Sequence, residues 1–470
     1  MAAPTKVIVA VGTYDGVLAG WEWTASTEKF QIAFATPVHD GSVRAVSLAQ
    51  AADASQPGAL VSCGYDEVMR THDFSKRLTS SGEIRTPSDL GTPVCVAFAP
   101  PLTVPTSLTD SSTKPPHTTH CLAGFAAGQL VIYKKRDWSV QHMLKGHEGG
   151  VASMAVHPSG TMALTGGEKD GRIKLWDLTK GRLAYNHKIQ PKRTLADGRT
   201  VYDAINCIVW TADSYAFCYG THLTVKDVAT GSDLLDVELP SKVNQICFLQ
   251  GVEGTFVASA NNDGSLAVLH VDSNVGSTER RAIMAIEPVE GPVAGEERFK
   301  CLQQVADYHV VTANSAGVVS LMDLSGAVRM IMSDNDGDNS DSDAGDRDAN
   351  DSGADNDEKT GEDEELAVDI IDSVQLGSGN RVTCLAAWST LRPQENDESE
   401  GENAQDAEEN EPAETLVEET PQNNVDEKKR KHDRIQEMDS SALERARDLV
   451  ASAKKIRDKR QKKSKKKQKA

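Results

Sequence analysis

Short apolar runs alternate with turns along most of this chain, and the pattern is densest between Leu144 and Leu178. Val151, Met154 and Val156 mark one run, His157-Pro158-Ser159-Gly160 a turn, and Met162 to Thr165 a second run. Lys169-Asp170-Gly171 is a tight turn, and Ile173 to Trp176 a third run. Runs of this length joined by Gly, Asp and Pro predict antiparallel strands in a meander. One such unit cannot bury both of its faces, so it requires relatives elsewhere in the chain.

Two sub-patterns supply them, each occurring seven times. The first is an inner-strand run: Val43 to Leu48, Val94 to Phe98, Val151 to Val156, Ile205 to Trp210, Asn244 to Leu249, Lys300 to Val305 and Arg381 to Ala387. The second is a strand, a turn with Gly or Asp, and another strand. Its copies are Val7–Trp23, Leu60–Asp73, Cys121–Lys135, Met162–Asp177, Tyr215–Asp227, Thr255–Val271 and Tyr308–Asp323. Gly146-His147 before the densest unit and Trp176-Asp177 at its close form the signature of a WD repeat, which supplies one four-stranded propeller blade. The fold expected is all-β: a seven-bladed WD-repeat β-propeller over residues 1–389. The chain begins with the second sub-pattern and ends with the first. The closing strand, 381–388, is therefore expected to pair with the N-terminal blade and leave no open sheet edge.

Spacing between the runs places the insertions at 101–119 in the third blade, 187–200 between the fourth and fifth, and 273–298 between the sixth and seventh. Residues 334–365 hold 15 acids against 2 bases, 394–427 hold 14 acids and no base, and 428–470 hold 18 Lys and Arg against 6 acids. The net charge of −20 thus resides mainly in one insertion and the segments after the propeller, and the remaining chain is near neutrality. An acidic insertion at about 333–367, expected between the seventh blade's strands and the closing strand, cannot bury enough apolar surface to order itself, and 390–438 reads as an acidic disordered linker. Residues 439–470 form a basic tail. Ser441-Ala442-Leu443-Glu444 is a capping box, and Leu443 and Val450 share a helix face in a Lys/Arg-rich stretch free of Pro and Gly, which predicts a helix from about Ser441 to Lys463. Polyelectrolytes segregated from a near-neutral domain suggest assembly and nucleic-acid work rather than a small-molecule pocket.

Candidate chemistry is sparse. His147, Thr165, Asp170 and Trp176 stand where WD repeats build a hydrogen-bonded tetrad, a structural rather than catalytic device. Only the fourth blade carries that set in full: His72-Asp73 and Lys226-Asp227 replace Trp-Asp in the second and fifth blades. Asp334 to Gly345 lacks the glycine and glutamate of a calcium loop. His117, His120 and Cys121 lack a fourth ligand at metal-site spacing. Phosphate-loop, hydrolase-elbow and zinc-protease motifs are absent. No enzyme activity, metal or cofactor is expected. The eight cysteines form no CxxC pair and read as buried reduced thiols. No run of about 18 apolar residues suggests a membrane span, and the first residues read as a strand rather than a signal peptide.

The tail carries the functional signal. Lys428, Lys429, Arg430 and Lys431 form a cluster of nuclear-import type. Lys454, Lys455, Lys459, Arg460, Lys462, Lys463, Lys465, Lys466 and Lys467 form a denser one suited to sequence-blind RNA contact through counterion release. Arg44, Arg381 and the 187–200 loop, with Lys188, Lys192, Arg193 and Arg199, are further exposed basic candidates.

With Gly64-Tyr65-Asp66-Glu67, Lys145 to Val151, His157 to Gly160, Lys174 to Leu178, Gly181-Arg182 and the terminal Arg381 to Trp388 in view, the chain resembles a particular WD-repeat family. It is that of the PAK-interacting protein of animals and its fungal killer-maintenance counterpart. The order of these motifs and a Lys-rich tail after the closing strand carry the resemblance. It implies a nuclear and nucleolar, non-enzymatic factor in large ribosomal subunit assembly and rRNA processing. Such a factor binds ribosomal and assembly proteins of pre-ribosomal particles, as a monomer within the complex. The alternative it implies is a regulator that binds and restrains a PAK-type kinase. The chain departs from the family in its acidic insertion, its 101–119 loop and its lost Trp-Asp pairs.

Overall fold

The computed structural model describes residues 3–50, 57–73, 80–84, 86–87, 89–100, 118–189, 193–195, 197–251, 254–271, 298–333, 368–377 and 380–391. All lie within the compact unit Met1–Asn396. Blade one pairs β1 (Pro4–Thr13), β2 (Val17–Thr24) and β3 (Lys29–Pro37) with the last described strand, β29 (Val382–Leu391). Blade two is β4 (Val43–Gln50), β5 (Pro57–Gly64), β6 (Met69–His72) and β7 (Ser80–Ile84). Blade three is β8 (Pro93–Phe98), β9 (His120–Phe125), β10 (Gln129–Lys134) and β11 (Val140–Lys145). Blade four is β12 (Val151–Val156), β13 (Met162–Gly167), β14 (Arg172–Asp177) and β15 (Arg182–Lys188). A short hairpin, β16 (Arg193–Thr194) and β17 (Thr200–Val201), precedes blade five: β18 (Ile205–Trp210), β19 (Ser214–Tyr219), β20 (His222–Asp227) and β21 (Asp233–Glu238). Blade six shows three strands among the described residues, β22 (Val243–Gly251), β23 (Gly254–Asn261) and β24 (Leu266–His270). Blade seven is β25 (Phe299–Ala306), β26 (His309–Asn314), β27 (Val318–Asp323) and β28 (Asp369–Gln375), with helix α1 (Ser325–Ser333) between its last two strands. This is a seven-bladed β-propeller.

The alternation of apolar residues dictates where the core lies. A strand in mid-blade packs both faces on neighbouring blades, so runs such as Leu122, Ala123 in β9 and Leu130 to Tyr133 in β10 are fully buried. The buried residues fall into seven clusters, one in each gap between successive blades. The gap between blades seven and one joins Val7, Val9 and Val11 of β1 to Val311, Val319 and Leu321 of blade seven, so the ring shuts with the same apolar packing it uses elsewhere. In β1 and β29, Val9 stands opposite Ala387 and Val7 opposite Ser389.

Three features depart from the expectations drawn from sequence. Residues 334–367 are not a connection between blade seven and the closing strand. They fall inside blade seven, because β28 pairs with β27 from Asp369 opposite Asp323 to Gln375 opposite Val318. The outermost strands leave no mark in the sequence, for a physical reason: β15 is exposed at every residue and β3 at most of them, so neither shows an apolar alternation. Helix α1 is likewise unannounced. The Asp323 carboxylate accepts the Ser325 N–H at its start (2.8 Å), and Ala327, Val328 and Ile331 pack against the core between blades six and seven. The closing strand runs to Leu391, two residues into the expected 390–438 linker, because Thr390 and Leu391 still pair with Lys6 and Pro4. The acidic segment from Asp334 to Gly345, the linker from 392 on and the 439–470 tail lie outside the described residues, as does His117.

Candidate interaction face

The predicted tetrad assembles in blade four. Thr165 accepts from the Trp176 indole N–H (2.8 Å) and itself reaches His147 Nε2 (2.8 Å), while His147 Nδ1 lies 2.8 Å from Asp170 Oδ2. The Asp170 carboxylate can only accept, so His147 donates to it from Nδ1–H, and the Nε2 of the neutral ring accepts from the Thr165 hydroxyl. All four side chains are buried. Burial works to raise the Asp170 pKa, but the hydrogen bond and charge of His147, then the Arg172 N–H, outweigh it and hold the carboxyl below its usual range. Cutting one member of such a buried chain costs about 1–3 kcal/mol.

The sequence pattern undercounted these devices. In blade two His39 Nδ1 lies 3.0 Å from Asp66, His39 Nε2 2.9 Å from Ser62 Oγ, and Ser62 Oγ 3.0 Å from His72 Nε2. His72 stands opposite Leu60 as Trp176 stands opposite Ala163, so an imidazole N–H replaces the indole N–H. The replacement keeps the donor while erasing the Trp-Asp pair by which a repeat is recognised. Burial, then the neighbouring His39 and Arg70, lowers the His72 pKa to about 4. Blade three shows true decay: Tyr133 occupies the Trp position, opposite Cys121, but Ala123 stands where the hydroxyl acceptor would be. The Tyr133 hydroxyl is buried with no hydrogen-bond partner among the described residues.

Every inner strand carries a β-bulge at its second residue: Arg44, Val94, Ala152, Asn206, Asn244, Lys300 and Thr383. Bulges re-aim side chains, and here three of the seven reach the next blade. Asn206 donates to the Val243 carbonyl (2.9 Å), Asn244 to that of Phe299 (2.7 Å) and Thr383 to that of Val43 (2.6 Å). A second rule fixes the same end of the ring. The first turn residue after the strand next to the inner one donates its N–H to the residue preceding the inner strand: Tyr14 to Arg381, Tyr65 to Ser42, Glu168 to Gly150, Asn262 to Lys242 and Ser315 to Arg298. These two sets of residues surround the mouth of the central channel on one face. A cavity of about 330 Å³ opens there on the side of blades two to five, lined by Arg44, Tyr65, Val94, Ala152, Glu168 and Asn206 among others.

Of the basic candidates, Arg381 is exposed on this face and Arg44 is half-buried, its guanidinium 5.0 Å from the Tyr65 ring centre. The described basic residues of the 187–200 loop are exposed, and each has a partner. Arg193 pairs with Asp203 (2.8 Å), Arg199 with Asp197 (2.6 Å), and the Lys188 amine lies 5.3 Å from the centre of the Tyr202 ring. Lys192 and all the tail lysines and arginines, from Lys428 to Lys467, lie outside the described residues. His120 spends its ring nitrogens on Thr119 and Gln141. The eight thiols are free, and burial raises their pKa values, to about 11 for Cys207 and Cys384 and about 12 for Cys95. Among the described residues no group of three or more His, Cys, Asp or Glu could hold a metal ion, and no helix is long and apolar enough to cross a membrane.

Residues 138–177, which contain all four side chains of the blade-four tetrad, match the model of the WD domain, G-beta repeat. The protein is a WD40-repeat propeller. It is homologous to a p21-activated protein kinase-interacting protein 1-like of Danio rerio, 22% identical over 67% of this chain and 73% of the relative. It is likewise similar to Shk1 kinase-binding protein 15 of Schizosaccharomyces pombe, 23% identical over 67% of this chain and 76% of the relative. A shorter stretch, 15% of this chain and 8% of the relative, is 33% identical to ribosome biogenesis protein erb1 of Botryotinia fuckeliana. The WD40 propeller is a protein-interaction scaffold, and the first two relatives are named as binding proteins.

Proposed function

We propose that this propeller is a non-catalytic, nucleolar scaffold in assembly of the large ribosomal subunit, with ribosomal and assembly proteins docked on the propeller and rRNA held by the Lys-rich tail. The observation that carries the reading is the pairing of an interaction propeller with a chain end of 18 Lys and Arg against 6 acids. Clustered cations gain affinity for RNA by releasing counterions, without regard to sequence. The stretch similar to a protein named for ribosome biogenesis supports the same reading.

The test is sedimentation of the tagged protein from cell extract through sucrose gradients at low and high salt, with rRNA probed across the fractions. Co-migration with large-subunit precursors, lost at high salt or on deletion of 428–470, is the expected result. A free species at every salt concentration would overturn the reading. Unchanged nuclear localisation and association after that deletion would overturn the role of the tail.

A second reading has its own support in the names of the two relatives matched over most of their length, one a kinase-interacting and the other a kinase-binding protein. It makes the propeller a kinase-binding regulator. Pull-down separates the two: a kinase in an RNase-insensitive complex supports the second, ribosomal precursors in an RNase-sensitive one the first.

A further inference from the structure

The two rules that fix the channel mouth also sort its charge. Taking the residue before each inner strand, the bulge residue and the turn residue together, blade six contributes Lys242, Asn244 and Asn262, and blade seven Arg298, Lys300 and Ser315. Blade one contributes Arg381, Thr383 and Tyr14, and blade two Ser42, Arg44 and Tyr65. Blades three and four present Thr92, Val94 and Ala126, then Gly150, Ala152 and Glu168. Five cations therefore form one arc over four consecutive blades, and the opposite arc holds none at these positions.

Among the described residues no carboxylate pairs with Arg44, Lys242, Arg298, Lys300 or Arg381. Lys300 is half-buried, and burial first, then Arg298 and Lys242, lowers its pKa. Like charges held together on rigid strand ends without a counter-charge are an unfavourable arrangement for the free protein, and a polyanion relieves it.

The arc also carries aromatic rings. Tyr14 and Tyr65 are 64% and 59% exposed, at the same turn position of successive blades. The Arg44 guanidinium lies over the Tyr65 ring, and the Tyr14 backbone N–H donates to the Arg381 carbonyl (2.9 Å), which ties its turn to the start of the closing strand. Two exposed tyrosines in adjacent blades, on the arc that carries the five cations, make a stacking platform along a basic track. Single-stranded nucleic acid is recognised in this way, its phosphates on the cations and its bases on the rings. An acidic peptide would use the cations but gives the rings nothing to stack on.

We infer that the channel mouth over blades six, seven, one and two binds single-stranded RNA, with consecutive bases on Tyr14 and Tyr65 and the backbone on Arg44, Arg298, Lys300 and Arg381. The site is separate from the tail, and it rests on the pre-ribosomal reading only for the origin of the RNA.

The test uses the full chain and a dye-labelled oligouridylate, with binding followed by anisotropy across salt concentrations and the bound peptides mapped by photo-crosslinking. Crosslinks to the peptides bearing Tyr14 and Tyr65 are expected. Tyr14→Ala with Tyr65→Ala should weaken binding about tenfold or more, and the two Tyr→Phe changes should preserve it. Arg381→Gln and Arg298→Gln should each lower the salt slope by about 0.7 for every phosphate the arginine neutralises. Crosslinks confined to 428–470 with unchanged Tyr→Ala affinity would overturn the site in favour of the tail. Weaker binding in the arginine variants with unchanged binding in the Tyr→Ala variant would overturn the stacking platform, because the RNA would then be held by its phosphates alone. If oligouridylate binding is insensitive to all these changes while the protein still co-sediments with precursors, the site falls and the scaffold reading stands.

Discussion

His72 shows what one residue does to a blade. It donates to Ser62 in place of an indole, but unlike an indole it titrates. Its folded pKa of about 4 lies below the ordinary 6.5, so the unfolded chain takes up the proton first. Stability contributed by the neutral ring is therefore complete above pH 6.5, falls as pH drops towards 4, and changes no further below that. The shift corresponds to on the order of 3 kcal/mol. His39, whose pKa burial also lowers, adds in the same direction. Urea unfolding of the wild type should lose stability over this window, and His72→Gln, which keeps a donor without titrating, should flatten the curve. A wild-type curve already flat between pH 6.5 and 4 would contradict the buried relay. The tetrad of blade four was legible because Trp176 and His147 are rare residues at fixed spacing. That of blade two was not, since His72 does the work of Trp by hydrogen bonding and only its bond with Ser62 reveals it.

At the scale of elements, the turns bind successive blades together. Gly128 lies in the turn of blade three with φ of 86°, and its carbonyl accepts the N–H groups of Gly146 and His147, which aims the histidine into blade four. A Cβ at Gly128 would lie 2.2 Å from the His147 carbonyl oxygen. Gly198, also at positive φ, has nothing within 4 Å of such an atom. Gly128→Ala should thus cost at least about 2 kcal/mol in thermal unfolding, and Gly198→Ala only about 1 kcal/mol from backbone strain. Equal effects would mean that the approach of the histidine loop does not matter. Inner and middle strands were readable from their apolar runs, while β15 and β28 were not, because an outer strand is held by hydrogen bonds to its neighbour and needs little apolar surface of its own.

At the scale of the whole molecule, closure depends on β29. Val382, Leu385, Ala386 and Ala387 are buried, and Gln303 of blade seven both donates to the Ala387 carbonyl (3.0 Å) and accepts its N–H (2.9 Å). At roughly 1.5–3 kcal/mol for each large buried aliphatic, plus the exposed flank of β1, removing this strand costs on the order of 10 kcal/mol, comparable with the stability of a typical domain. Truncation after Leu391 should keep a single cooperative thermal transition, and truncation after Asn380 should abolish it. Survival of the transition in the shorter chain would show that the ring does not need its closing strand. The sequence by itself determined the blade count, the closing pair and the segregation of charge, because burial between blades enforces periodic apolar runs and polyelectrolytes declare themselves by composition. Only the tertiary structure decided that residues 334–367 interrupt blade seven, that His39, Ser62, Asp66 and His72 form a second tetrad, and that Arg44, Lys242, Arg298, Lys300 and Arg381 share one face with Tyr14 and Tyr65. Those residues are scattered over hundreds of positions, and what brings them together is the identical bulge and turn register of seven blades arranged in a ring.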